Sequence, residues 1–220
     1  MIENLQLVIF DMDGLMFDTE RLAHEGTVAA FKELNIAIDE DILKTAIGQY
    51  KFDRRKYIIG EIPDGLDINS FMIDFMTKRR AKILAQGIPK KPGLDNLLAL
   101  CKKLGLKIAV GTSTPLDRTM QYLENAGLAD SFDCIVSGDQ VANGKPWPDI
   151  FLTACQRLQV PVENALVLED SINGALAAFK ADIKCIIVPD IIYPYPEICN
   201  IVYAVAASLD VVAAMIAEGR

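Results

Sequence analysis

Two aspartates, Asp11 and Asp13, stand just past a short apolar run, Leu7-Val8-Ile9-Phe10. A run of that length that stops abruptly is the pattern of a strand buried on both faces. In extended backbone residues i and i+2 point to the same side, so the two carboxylates converge beyond the strand end. Gly14 lets the chain turn there. Paired carboxylates so placed can hold a hard cation such as Mg2+. They can also divide labour, one as nucleophile and one as general acid/base. An Asp-Gly turn is the plain alternative for these few residues, so the rest of the chain decides.

Three further places offer chemistry. Thr112 and Ser113 follow the run Leu106-Lys107-Ile108-Ala109-Val110. Their hydroxyls, with the N–H groups of the helix start after them, make a seat for phosphate. Lys145 lies in a loop that Pro146 and Pro148 stiffen, and Glu169-Asp170 stand where Ala165-Leu166-Val167-Leu168 ends. Singly, each has an ordinary account: a helix cap, a surface lysine, and acids at a helix N-terminus. Together they supply a nucleophile, metal-binding acids, phosphate-binding hydroxyls and one cation. Phosphoryl transfer is mostly positioning and charge neutralisation, and these are its parts.

The elements that must position these residues follow from periodicity. Helical spacing runs over 20–34, then over shorter segments near 39–47, 51–60 and 68–86, with Asp18 and Thr19 as N-cap candidates for the first. Gly48, Pro63-Asp64-Gly65 and Gly87 punctuate this block, and none of it reads as strand. Pro92 can open a helix at 93–105, and Gly105 ends it. Strands at 106–110, 133–136, 165–168 and 184–188 then alternate with helices at 116–126, 149–158 and 172–181. A weak strand near 202–206 and a helix at 209–218 close the chain. Alternation of this kind implies a parallel sheet with right-handed crossovers, whose strand C-termini share one edge. All the candidate residues sit on that edge. The helical block after the first strand reads as an insertion above the carboxylates.

Composition narrows the classes. The 220 residues are 51% hydrophobic, enough for a large core or a core with an insertion. A net charge of −8 argues against nucleic acid and anionic membrane as partners. No apolar stretch reaches the roughly 18 residues of a membrane span. The few polar residues before the first strand do not form a signal peptide, so a cytoplasmic protein is expected. The five cysteines are widely spaced with no C-x-x-C pair, and read as buried small hydrophobes. His24, the only histidine, lies in an amphipathic pattern without a nucleophile elbow and reads as a surface or cap residue. A protein this acidic that binds a phosphate ester needs local positive charge, from a metal or a placed lysine.

The order of the pieces resembles the haloacid dehalogenase superfamily. DMDG with the following DTE is similar to its first motif, and a strand ending in Thr-Ser, a Lys loop and Glu-Asp come next. GKPWPDIF and VLEDSINGALAA resemble the K-P-x-P-D-x-F and V-x-E-D-S-x-x-G-x-x-A-A forms of its β-phosphoglucomutase-like branch. The resemblance implies an α/β fold, a Rossmann-like parallel sheet core with an inserted all-helical cap domain. Residues 1–14 and 89–220 would form the core and 15–88 the cap. It implies Asp11 as nucleophile and Asp13 as general acid/base. It implies Mg2+ held by Asp11, the Asp13 carbonyl and Asp170, with Glu169 in the metal shell or supporting it. Thr112, Ser113 and Lys145 would bind the phosphoryl oxygens.

Three rivals share parts of this pattern. Response-regulator receivers use similar groups, but with the acidic pair first and without a second Asp or a helical insert. Dehalogenases of the superfamily lack the second Asp, the acid that an alkoxide leaving group needs. In β-phosphoglucomutases a Ser-Arg pair follows the cap glycine and a Thr precedes the Asp-Thr dipeptide. Here Gly48 precedes Gln49-Tyr50-Lys51, and Phe17 precedes Asp18-Thr19-Glu20. Lys51 or Arg54 could supply the missing cation. The expectation is a monomeric phosphatase for a small phosphorylated metabolite, sugar phosphate or nucleoside-monophosphate-like, with a phosphosugar mutase as the alternative. Asp53, Arg54, Arg55, Lys78, Arg79 and Arg80 are candidates for lining its cleft.

Overall fold

The structure, a computed structural model, describes residues 4–45 and 54–219. Six strands form one parallel sheet: β1 (Leu7–Phe10), β2 (Lys107–Gly111), β3 (Cys134–Val136), β4 (Ala165–Glu169), β5 (Lys184–Ile187) and β6 (Ala204–Val205). Their order is β3-β2-β1-β4-β5-β6. The chain therefore builds outward from β1 to β3 and then returns to β1's other side. The crevice beyond the C-terminal ends of β1 and β4 is the point where strand order reverses, the usual ligand position in such sheets. Register makes the ends flush: Phe10 is level with Val110 on one side and Leu168 on the other.

All four residues of β1 are fully buried, as a strand covered on both faces must be. Val8 and Phe10 join one apolar layer with helices α4 (Leu94–Lys103), α5 (Leu116–Asn125) and α9 (Leu209–Glu218). Leu7 and Ile9 join the opposite layer with α6 (Asp149–Leu158), α7 (Ile172–Lys180) and the short α8 (Pro196–Cys199). Each such side chain contributes about 1.5–3 kcal/mol by leaving water. In α4 the buried residues are Leu94, Leu97, Leu98 and Cys101, one stripe at helical spacing. Gly105 follows at φ +67°, the left-handed turn that ends a helix. That helix opens at Leu94 after Gly93 rather than at Pro92. The short α8 was not legible from periodicity, because four residues are a single turn.

Between β1 and β2 the chain is helical: α1 (Thr19–Glu33), α2 (Glu40–Thr45) and α3 (Ile68–Gln86). Of the segment read as helical at 51–60, residues 54–60 are described: Arg54–Tyr57 form one 3-10 turn, and Ile58 pairs with Ile38 in an isolated antiparallel bridge. Gly48, Gln49, Tyr50, Lys51 and Asp53 lie outside the described residues. The insert has an apolar cluster of its own, built on Ala30, Phe31, Leu43, Tyr57 and Met72, with Phe31 edge-on to Tyr57 at 5.6 Å. The chain enters and leaves the insert as a paired ribbon. Asp18 N donates to Pro89 O (3.1 Å) and Lys91 N donates to Met16 O (2.8 Å). Asn125 of α5 ties down the exit: it accepts from Ile88 N and donates to Leu84 O, both at 2.7 Å.

Two minor expectations change. His24 is half-buried on α1, with Nε2 out of solvent and unpartnered, rather than on the surface. All five cysteines are free, but Cys134 and Cys199 are only half-buried. No helix among the described residues is long and apolar enough to cross a membrane.

Candidate active site

Asp11 is the first residue beyond β1. Its N–H donates to Leu168 O at 2.9 Å, so the sheet ladder itself fixes its backbone. Its side chain is buried, with 6% of the residue exposed. Lys145 donates from Nζ to Asp11 Oδ1 and to Glu169 Oε1, both at 2.5 Å. The ammonium lies 5.0 Å from the centre of the Phe151 ring, on α6, the helix its own loop leads into. Lys145, far from being a surface lysine, therefore bridges the ends of β1 and β4 from beneath.

Glu169, the last residue of β4, is fully buried. Its Oε2 accepts from Asp170 N (3.0 Å), Ser171 N (3.0 Å) and Ser171 Oγ (2.9 Å). With Oε1 on Lys145, both oxygens are engaged. Ser171 caps α7 by accepting from Gly174 N. Asp170 faces Asp11: oxygens of Asp11, Glu169 and Asp170 all lie within 4.8 Å of one another. Gly14 makes room for this. It has φ +84°, and a Cβ there would overlap the Asp170 carboxylate.

Asp13 stands apart from that trio. Its Oδ1 accepts from Thr19 Oγ1 (2.7 Å) and its Oδ2 from Thr114 Oγ1 (2.6 Å). Thr19 is thus turned to Asp13 rather than capping α1, and Asp18, at the N-cap position, makes no side-chain cap bond. Thr112 is buried at the end of β2. Its N–H donates to Val136 O and its hydroxyl accepts from Thr114 N at 3.1 Å, so it shapes the turn that delivers Thr114. Ser113 is exposed and lines the cleft. The start of α5 is capped from elsewhere, Leu116 N donating to the Asp139 carboxylate.

Charge is unbalanced here. Burial, with Glu169 and Asp13 nearby, raises the Asp11 pKa well above the carboxylate range despite Lys145. Burial, then Glu169, Asp11 and Glu20, does the same to Asp170. Burial alone would lower Lys145, but Asp11 and Glu169 outweigh it and hold the ammonium above the ordinary lysine range. Glu20 is raised to about 7 by burial, Asp13 and Asp190. Three clustered carboxylates around one ammonium leave a deficit that a divalent cation would remedy, and every donor is a hard oxygen. The residues therefore fit Mg2+.

The site opens into a cleft of about 1120 Å³. Its walls include Ser113, Lys145 and Asp170, an apolar rim with Trp147 and Tyr195, and Lys44 from the insert.

Residues 8–188, which take in the sheet from β1 to the end of β5 and Asp11, Asp13, Lys145, Glu169 and Asp170, match the haloacid dehalogenase-like hydrolases. The chain belongs to this family. A Bacillus subtilis relative of this hydrolase with a provisional phosphatase name is 32% identical over 190 residues, 84% of each chain. A phosphorylated carbohydrates phosphatase of Thermotoga maritima is 31% identical over 183 residues, 82% of this chain and 83% of its own. A solved structure from Thermotoga maritima, provisionally a β-phosphoglucomutase, superposes with a TM-score of 0.80 at 28% identity. The match covers 97% of this chain and 99% of that one. The α/β fold and the phosphatase class expected from the sequence are those of the relatives.

The hydrolase brings Asp11, Lys145, Glu169 and Asp170 into one cluster and sets Asp13 beside it. Of the proposed cleft cations, Lys78 is largely exposed and pairs with Asp74 (2.7 Å), while Arg79 pairs with Glu25 (3.3 Å). Arg80 lies beside Tyr122 of α5. The side chains of Arg54 and Arg55 lie outside what is described. Sequence reading missed Thr19 and Thr114 as partners of Asp13, and missed Lys44, which pairs with Asp41 at 2.9 Å, as a lining residue of the cleft. A hydroxyl near an acid in sequence could have flagged Thr19; nothing local marks Thr114.

Proposed function

We propose that the protein is a cytoplasmic Mg2+-dependent phosphatase of small phosphorylated carbohydrates, acting through a phosphorylated Asp11. The observation that supports this most is the division between the two aspartates. Asp11 is held by Lys145 among acids, whereas Asp13 is held by two hydroxyls.

In this reading Asp11 attacks phosphorus and its carboxylate becomes an acyl phosphate. Asp13 gives a proton to the departing oxygen, then takes one from the water that hydrolyses the acyl phosphate. Thr19 and Thr114 fix the direction of its carboxyl. Lys145 and Ser113 receive phosphoryl oxygens, with Thr112 shaping the turn. Glu169, with both oxygens engaged, holds Lys145. Asp11, Asp170 and the Asp13 carbonyl would hold Mg2+, which supplies charge neutralisation. Residues 15–88 act as a cap over a core of 1–14 and 89–220. The carbohydrate substrate is inferred from the Thermotoga maritima phosphatase.

The test is phosphate release across sugar phosphates, nucleoside monophosphates and p-nitrophenyl phosphate, with and without EDTA. Sugar phosphates should lead, EDTA should abolish turnover, and Mg2+ should restore it. Asp11→Asn should be folded and inactive. Turnover in EDTA would remove the metal from the reading, and an active Asp11→Asn would remove the nucleophile. A coupled glucose 6-phosphate assay showing isomerisation faster than phosphate release would replace it with the mutase.

A further inference from the structure

Asp190 is a buried acid that the chemistry above does not use. It follows β5 through Val188 and Pro189, and Val188 N still donates to Glu169 O at 2.7 Å. Its backbone is thereby anchored to the strand edge that carries the site, with Pro189 limiting its freedom. Only 2% of its side chain is exposed.

Its partners are Lys91, in the exit strand of the ribbon that joins the insert to the sheet, and Arg21 of α1, and both of these also face Asp18 in the entry strand. Lys91, in the exit strand, donates from Nζ to Asp190 Oδ1 at 2.6 Å, and lies 3.7 Å from Asp18 Oδ1 in the entry strand. Arg21 stands 3.6 Å from Asp190 Oδ1 and 3.3 Å from Asp18. The other oxygen, Asp190 Oδ2, is buried without a hydrogen-bond partner among the described residues. A half-satisfied buried carboxylate is costly, and apolar residues of similar size would often serve stability as well. Stability alone does not account for an acid here.

The entry strand leads directly to the site. Thr19 follows Asp18, and its hydroxyl donates to Asp13. We propose that Asp190 is a positioning residue for catalysis: through Lys91 and Asp18 it locks both strands of the ribbon to the sheet, and so holds Thr19 where it orients Asp13. This rests on Asp13 being the proton donor of the phosphatase reading. Asp190 touches no substrate. It acts through the ribbon.

Asp190→Asn keeps the size and one acceptor but removes the charge that holds Lys91 and Arg21. Two readouts test it. Amide hydrogen exchange at Asp18 and Lys91, whose N–H groups close the ribbon, should speed up while the amides of β1 stay protected. The value of kcat/KM on a sugar phosphate should fall roughly ten- to hundredfold, the scale of a small misplacement. On p-nitrophenyl phosphate, whose leaving group needs no proton, kcat/KM should change little, because it reports only the transfer to Asp11; kcat, which includes the water step that Asp13 also serves, is expected to fall on both. In a Thr19→Val background the same substitution should add no further loss. Unchanged exchange at Asp18 and Lys91 overturns the proposal. So does an equal loss of kcat/KM on both substrates, or a loss that adds to that of Thr19→Val. Asp13→Asn separates the two readings. If its loss of kcat/KM is the same for both leaving groups, the proton-donor role falls, whatever the exchange data show for the ribbon.

Discussion

Gly174, in the first turn of α7, lies directly against the carboxylate of Glu169, and a Cβ at that glycine would overlap it. The spacing is a consequence of how β4 passes into α7. Glu169 ends the strand, turns inward under the cap made by Ser171, and comes to rest beneath the helix's first turn. That seat holds the oxygen to which Lys145 is bonded.

Gly174→Ala should therefore destabilise the protein, although alanine is ordinarily better than glycine inside a helix by about 1 kcal/mol. Overpacking costs about 1–3 kcal/mol, and here it acts on a buried carboxylate with no free space. Urea unfolding should show the loss, and kcat should fall with it as Lys145 loses its anchor. A variant more stable than the parent would mean that Glu169 has another place to go.

The parts of this fold that were legible are those where local pattern and tertiary role agree. β1 is a run of four apolar residues and is buried on both faces. Helices 149–158 and 209–218 have their expected limits, set by Pro148 before one and Ser208 before the other. The four acids and Lys145 were legible because strand ends in a parallel sheet share an edge. What fastens them was not. Thr114 reaches Asp13 across 101 residues of sequence, and Lys91 reaches Asp190 across 99. Such pairs depend on how loops from different strands meet, which hydrophobic periodicity does not encode.

The metal-free enzyme should lose stability as pH rises through the range that Glu20 titrates. Its pKa is raised from 4.5 in the ordinary carboxylate to about 7 by burial, Asp13 and Asp190. The folded state thus binds more protons than the unfolded state between those values. Stability then falls with increasing pH across that window and levels off above it. Asp11 and Asp170, raised for the same reason, push in the same direction. Denaturation in EDTA at pH 5, 6, 7 and 8 should show the decline, and Glu20→Gln should make it shallower. A profile that rises through this range in the parent protein would contradict the burial of these charges.

Thr114→Val tests the oxygen of Asp13 that Thr19 does not hold. Valine matches threonine in shape, and the backbone N–H of residue 114 would still donate to Thr112. The change therefore removes one bond, from Thr114 Oγ1 to Asp13 Oδ2. With only Thr19 left as partner, the carboxyl can rotate away from the leaving oxygen. General acid catalysis is worth typically 10²–10⁴-fold, so losing its alignment should lower kcat/KM on an alkyl phosphate by roughly tenfold or more. On p-nitrophenyl phosphate, whose departing oxygen needs no proton, kcat/KM should stay nearly as before. Thr114→Ser, which restores the hydroxyl without the methyl group, should recover most of the lost rate. If the Val variant kept the parent's kcat/KM on the alkyl phosphate, the hydroxyl would not be what matters at this position; if the Ser variant were as impaired as the Val variant, the hydroxyl alone would not account for the loss, since valine keeps threonine's methyl group and serine does not.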